Sequence, residues 1–330
     1  MAYQTGTASS PEDLLSKIKT FVESIGWVTD YYGSDTQTGI TAGYLADKLL
    51  CVHTAAGNYF SFLAYNSTGD IYTSGATGYS AGAIRNNQPG HSSGNFFATS
   101  TRCVTNGWAL TNKVIGPYAA YYFFGGSDYL HVVIEVVTNR FVHMHIGVLE
   151  KAGPYTGGEY FTGTAWTYDM FYTAGLSYQN DPDNTFNRMP FDSVGADTYV
   201  NSWQGIRMDT DGTSGKWWRM GYDNDTQNPC YGFMRSNSIV NMLVNSTPNT
   251  FNGASVMPPS LIAGYRTLGG YAIYGTVKDL RPINMSLLSP KDILTLGTDE
   301  WMVFPIIRKG TTSEYEPCSG NFAIAYRKVV

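Results

Sequence analysis

"YLHVVIEVVTNRFVHMHIGVLEKAGPYTGGEYFTG", residues 129–163, carries the reading of this chain. Two apolar runs, "YLHVVIEVV" and "FVHMHIGVL", are rich in β-branched and aromatic residues, and Thr138, Asn139 and Arg140 part them. That pattern predicts a β-hairpin with its tip at those three residues. On a strand, alternate side chains share a face. Phe141, His143, His145 and Gly147 then line one side, and Val142, Met144, Ile146 and Val148 the other. Gly153–Pro154 breaks the run, and a Gly157–Gly158 turn leads into the next strand.

The two histidines raise a chemical question. A metal ion needs three or four ligands. Counting back from the Asn139 tip places Ile134 and Glu135 nearer to His143 than His131 lies, so Glu135 is the candidate carboxylate beside His143 and His145. The competing reading is two polar histidines on the less buried face of a sheet or at an interface, with Glu135 turned to water or a partner. Nothing in the spacing selects a particular metal, so neither a metal nor a cofactor is expected.

Outward from the hairpin the pattern repeats. "KLLCVHTA", "YFSFLAY", "YAAYYFF", "EWMVFPIIRKG" and "NFAIAYRKVV" read as strands, and Pro305 predicts that the fourth is an edge or bulged strand. One helix is signposted near the start. Ser10 caps it, Pro11 opens it, Asp13 stands at its third position and Gly26 follows its end. Leu14, Leu15, Ile18, Phe21 and Val22 form an apolar stripe at helical spacing. The stripe must dock either on the β body or on a neighbouring subunit, and these residues are candidate interface positions. A second short helix is expected over "LLSPKDILTLG", with Ser289 as cap, Pro290 as first residue and Gly297 as stop.

Composition fits this picture. Of 330 residues, 43% are hydrophobic and 15% aromatic, with 36 glycines, which suits strands joined by many turns. The expected fold class is mainly β: a sandwich or jelly-roll-like body with an N-terminal amphipathic helix and long loops. Residues 1–30 are expected as arm and helix, residues 31–330 as the body, with a weak change of character near residue 180. Only 14% of residues are charged and the net charge is −5, without a basic cluster, so no nucleic-acid partner is expected. The start shows no secretory pattern, and no apolar run is long enough to span a bilayer as a helix. Cys51, Cys103, Cys230 and Cys318 are scattered, which predicts reduced thiols made in a reducing cytoplasm. Sequons at Asn66 and Asn245 then carry no meaning.

Several motifs imitate catalytic sites and fail on context. "GYSAG" around Ser80 has the spacing of a nucleophile elbow, but neither an apolar strand precedes it nor a helix-forming run follows it. The acidic stretches at 181–184, 209–212 and 223–225 lack the glycine and glutamate spacing of a calcium loop. "GTSGKWW" puts Trp217 where a phosphate loop needs Ser or Thr. Trp217 and Trp218 are candidates for a subunit contact or, in the rival reading, for stacking on a sugar. No nucleophile, base and orienter come together, so the chain is not expected to be an enzyme.

"FVHMHIGVLEKAGPYTGGEYFTGT" resembles a segment of virion structural proteins of tailed bacteriophages, where a strand ending in H-x-G-x-L-x-K runs into a T-G-G turn and an aromatic. "YQTGTASSPEDLLSKIKTFVESIGW" resembles their usual start, and "LGTDEWMVFPIIRKG" with "SGNFAIAYRK" their usual finish. Residues 164–290 carry no such likeness. The resemblance implies a non-enzymatic component of a contractile-tailed particle, in the neck or collar, the tail or the baseplate. Its partners would be copies of itself and other virion proteins, assembled in the host bacterial cytoplasm. The alternative is a carbohydrate-binding or receptor-binding module of the baseplate.

Overall fold

The computed structural model describes residues 1–34, 47–66, 70–76, 110–113, 116–164, 190–191, 205–208, 217–219, 230–231, 248–265, 271–306, 309 and 321–329. In chain order the elements begin with β1 (Ala2–Gly6), α1 (Pro11–Ser24), β2 (Val28–Gly33), β3 (Lys48–His53), β4 (Tyr59–Tyr65), β5 (Asp70–Ala76) and β6 (Leu110–Lys113). Next come β7 (Ala120–Gly126), β8 (Tyr129–Val137), β9 (Arg140–Val148), β10 (Glu150–Lys151), β11 (Gly157–Gly163), β12 (Gly205–Met208), β13 (Trp217–Arg219) and β14 (Cys230–Tyr231). The last are β15 (Leu261–Tyr265), β16 (Tyr271–Thr276), β17 (Leu280–Asn284), β18 (Ile293–Leu296), β19 (Asp299–Pro305) and β20 (Phe322–Lys328).

The protein is mainly β. Its described strands form a seven-stranded sheet in the order β1-β7-β8-β9-β11-β12-β13 and a five-stranded sheet, β2-β3-β4-β5-β6. Two four-stranded sheets, β10-β16-β15-β14 and β17-β20-β19-β18, complete the set. The expected hairpin is the β8–β9 pair at the centre of the largest sheet, with Asn139 at its tip in the left-handed region, φ 61°. Both strands are buried along most of their length because both faces of this sheet are covered.

Alternation along β7 shows how. Phe123 points to α1, with its ring 5.4 Å from that of Phe21. Tyr122 and Phe124 point the other way, to Phe304 of β19 and Tyr326 of β20. The C-terminal sheet thus lies against one face of the seven-stranded sheet, and α1 lies against the other. Trp27, just past the helix, donates from Nε1 to the Gly126 carbonyl at 3.0 Å and stacks on Phe60 of β4. That contact ties the helix to the five-stranded sheet behind it.

The helix forms as its sequence dictates. Ser10 Oγ accepts from the Asp13 backbone N–H at 3.1 Å, which satisfies one of the open N-terminal donors. Gly26, at φ 89°, takes the left-handed turn that ends it. Leu14, Leu15, Ile18, Phe21 and Val22 are all buried within the protein's own core. Each contributes about 1.5–3 kcal/mol of burial. The docking choice left open by the sequence therefore falls to the chain's own body, and these five residues are corrected from interface to core. Residues 1–30 are no separate arm either, since β1 pairs with β7 from Ala2↔Gly125 to Gly6↔Tyr121.

Two further expectations are corrected. Residues 293–296 form strand β18, not a helix, and pair with β19 from Ile293↔Met302 to Leu296↔Asp299. Ser289 and Pro290 open a tight turn in which Asp292 N–H donates to the Ser289 carbonyl at 3.1 Å and Lys291 stands at φ 73°. Two helical turns cannot offset their own nucleation cost, whereas a strand partner supplies ladder bonds at once. Pro305 does not make β19 an edge strand, because β19 lies between β18 and β20. Its pairing with β18 stops at Met302, so the missing N–H of Pro305 falls where no ladder bond is needed. The neighbourhood of residue 180 lies outside the described residues.

Candidate functional site

The chemistry-bearing residues of the opening stretch meet where the seven-stranded sheet faces the C-terminal sheet. The β8–β9 register pairs His131 with His145 and Val133 with His143. Counted without a break from the Val137↔Arg140 pair beside the tip, Ile134 would stand opposite His143 and His131 would fall on the other face. A bulge between Glu135 and Val137 supplies the missing residue. One extra residue in a strand turns every following side chain to the other face. It brings His131 onto the face of His143 and His145. Tyr326 reaches the same place from β20.

All three histidines and Tyr326 are fully buried. Each histidine ring nitrogen has a partner. His131 Nε2 donates to the Lys278 carbonyl at 2.8 Å, and His143 Nε2 donates to the Pro305 carbonyl at 2.8 Å. His131 Nδ1 and His145 Nδ1 lie 3.3 Å apart. Tyr326 Oη lies 2.6 Å from His143 Nδ1 and 3.4 Å from His145 Nε2. The result is a continuous polar line, Lys278 C=O, His131, His145, Tyr326, His143, Pro305 C=O. Phe191 stacks on His145 with ring centroids 5.3 Å apart, and Phe304 stands 5.9 Å from Tyr326. Apolar rings thus enclose a polar thread.

Burial sets the electrostatics. Loss of hydration pushes His131 and His143 down to about 4, against a small opposing pull from their carbonyl partners. His145 is lowered well below the ordinary range, first by burial and then by its two histidine neighbours. Tyr326 is raised well above its usual value by burial. At neutral pH the line is uncharged throughout, and it acts as hydrogen-bonded packing between two sheets.

The metal trio suggested by sequence is not assembled. Glu135 pairs across the ladder with Phe141, not His143. It is buried, which corrects its expected exposure to water or a partner. Its oxygens accept from the Asn139 N–H at 2.8 Å, from Tyr122 Oη at 3.2 Å and from Lys291 Nζ at 3.1 Å. Glu135 therefore clamps the hairpin tip to the turn before β18. His143 and His145 are likewise not on a less buried face. Among the described residues no three His, Cys, Asp or Glu side chains are grouped to hold a metal ion.

Sequence reasoning named His143 and His145 but not the rest of the line. His131 was passed over for Glu135 on distance along the hairpin, and the bulge that changes the register has no local signature in "IEVVTNR". Tyr326 and the two carbonyls come from the far end of the chain, and only tertiary packing brings them in.

The other sequence candidates fall elsewhere. Ser80 and the acidic stretches at 181–184 and 223–225 lie outside the described residues. Only the backbone of Trp217 and Trp218 is described. It forms β13, the last strand of the seven-stranded sheet, with Trp218 opposite Ile206 and Trp217 opposite Arg207. Cys51 is buried, with Sγ 3.6 Å from Ser61 Oγ. Compared with models of known protein families the chain matches none, and no curated protein matches it at a significant level.

Proposed function

We propose that this chain is a non-enzymatic structural subunit of a tailed-phage particle of the contractile type. Its place is the neck or collar, or else the tail or baseplate. It acts by closing into a ring or other multimer with copies of itself and with other virion proteins, assembled in the host bacterial cytoplasm.

The observation that carries this reading is the convergence of the three stretches that resemble virion proteins. Phe21 of the first stretch packs through Phe123 onto the central sheet. His143 of the second bonds the Pro305 carbonyl and the Tyr326 hydroxyl of the third. Segments nearly 300 residues apart in the chain thus build one core. A likeness of fold requires this, whereas three unrelated short likenesses would not. Large apolar side chains left on the surface, Phe251 at 98% and Leu287 at 64% exposure, suit a subunit that meets neighbours.

Light scattering on the purified chain tests the multimer. A ring or defined oligomer is expected, and Phe251→Ser with Leu287→Ser should weaken it while thermal stability stays unchanged. A stable monomer at high concentration, absent from purified particles, would sink the proposal. The baseplate carbohydrate- or receptor-binding alternative rests on Trp217 and Trp218, which occupy the terminal strand of a sheet. It predicts that Trp217→Ala or Trp218→Ala abolishes glycan binding without unfolding the protein.

A further inference from the structure

The polar line between the two sheets has a proton count that its ends dictate. Both ends are backbone carbonyls, Lys278 and Pro305, which only accept. Those carbonyls place a hydrogen on Nε2 of His131 and on Nε2 of His143. In the neutral rings, Nδ1 of each is then a bare acceptor. His145 has one hydrogen for two contacts, and on Nδ1 it serves the shorter, to His131 Nδ1 at 3.3 Å, which leaves His145 Nε2 bare as well. The Tyr326 hydroxyl has one hydrogen and two bare nitrogens beside it. It serves the nearer, His143 Nδ1 at 2.6 Å, and leaves His145 Nε2 at 3.4 Å unserved. Five contacts join the line, and three neutral imidazoles with one phenol bring four hydrogens to them. The longest oxygen–nitrogen contact in the line is the one the count leaves empty.

One added proton completes the line wherever it enters. On His145 it fills Nε2, which then donates to Tyr326. On His131 or His143 it reaches the same arrangement by shifting hydrogens along the contacts. A second proton has no acceptor and would set two donors face to face. The native line therefore takes up one proton at most, whereas three separated histidines in an unfolded chain take up three.

That one proton places a charge in a dry joint. The ionisable groups around it are already engaged. Tyr129 donates to Asp279 at 2.6 Å, and Arg327 of β20 holds the other oxygen of Asp279 at 3.2 Å. Lys278 holds Asp128, Lys291 and Tyr122 hold Glu135, and Tyr160 of β11 is buried beside Phe191. β19 contributes only Phe304 and the Pro305 carbonyl. No carboxylate from these elements bonds the line itself. Asp279 draws a charge on His131 less than burial opposes it, and a buried charge that no described carboxylate bonds costs more than the one hydrogen bond it completes.

We propose that this line is an acid-sensitive latch: uptake of one proton from water charges the joint and releases the C-terminal sheet, β17 to β20, from the seven-stranded sheet. The proposal stands apart from the assignment to a phage particle.

The test uses the full chain with ¹⁵N-labelled histidine. At pH 7.5, His131 and His143 should show the Nε2–H tautomer and His145 a single N–H; an Nδ1–H on His131 or His143, or a charged ring at that pH, overturns the proton count. Hydrogen exchange is then followed as the pH falls. Amides of β19 and β20 should lose protection at a pH where β3 and β4 keep theirs, and the three histidines should titrate as one event. Three independent titrations in the ordinary histidine range with unchanged β19 and β20 protection would overturn the latch. So would a uniform loss across all four sheets. His145→Gln, which cannot take the proton, should move the release to lower pH, and an unmoved midpoint counts against the proposal. Should that variant not fold, the tautomer and exchange measurements on the unaltered chain still decide.

Discussion

Gly147 shows how a single position can be dictated from across a sheet. It pairs with Tyr129, and an added Cβ would meet Tyr129 Cβ at 2.6 Å, Tyr129 Cα at 2.8 Å and the Asp128 carbonyl at 2.9 Å. Two of those three atoms are backbone, so no rotamer change relieves the contact. Gly147→Ala is expected to cost about 1–3 kcal/mol, the usual cost of overpacking, seen as a lower urea midpoint with unchanged slope. The sequence shows this glycine inside a strand, where it weakens pairing. The reason for it is legible only once Tyr129 is known to lie opposite. Glu135 makes the same point. A lone acid in an apolar run reads as exposed, yet three donors, from the hairpin tip, β7 and the turn before β18, hold it inside.

At the scale of elements, α1 was legible to its ends, because caps and stripe are local signals. Ser10, Pro11 and Gly26 each act within one turn of the backbone they serve. The partner of the stripe was not legible, since an apolar face looks the same whether a sheet or a second subunit covers it. Ile18→Ala separates the two. In the core it should cost about 2–5 kcal/mol of unfolding free energy and leave the oligomeric state unchanged, as read by denaturation and light scattering. The segment 289–297 failed for the opposite reason. Its local signals served a turn and a strand equally well, and the adjacent ladder of β19 decided between them.

For the molecule as a whole, the buried histidines set a pH dependence with a definite sign. In the unfolded chain they titrate near 6.5, whereas burial in the folded chain holds His131 and His143 neutral down to about 4. The unfolded state therefore binds more protons between these values. Their contribution is fully present above about pH 6.5 and is lost as the pH falls toward about 4. Each depressed histidine should remove on the order of 1.4 kcal/mol per pH unit within that window. Urea midpoints at pH 7.5, 6.0 and 5.0 check this. A flat profile would show that the three rings are charged or exposed in the folded protein.

The sequence by itself determined the fold class, the hairpin, the first helix and the face shared by His143 and His145, because period, caps and turns are properties of neighbouring residues. Tertiary structure alone decided which elements cover each face of the seven-stranded sheet. It also decided that one bulged residue turns His131 onto the shared face, and that Tyr326 and two distant carbonyls close the line. The physical reason is separation. Alternation along a strand is encoded within a few residues, but the partner that buries a face is selected by shape and hydrogen-bond matching between segments far apart in the chain. "FVHMHIG" could therefore announce two histidines on one face, while their conversion from a metal candidate into a buried proton-counting joint depended on β8 and β20.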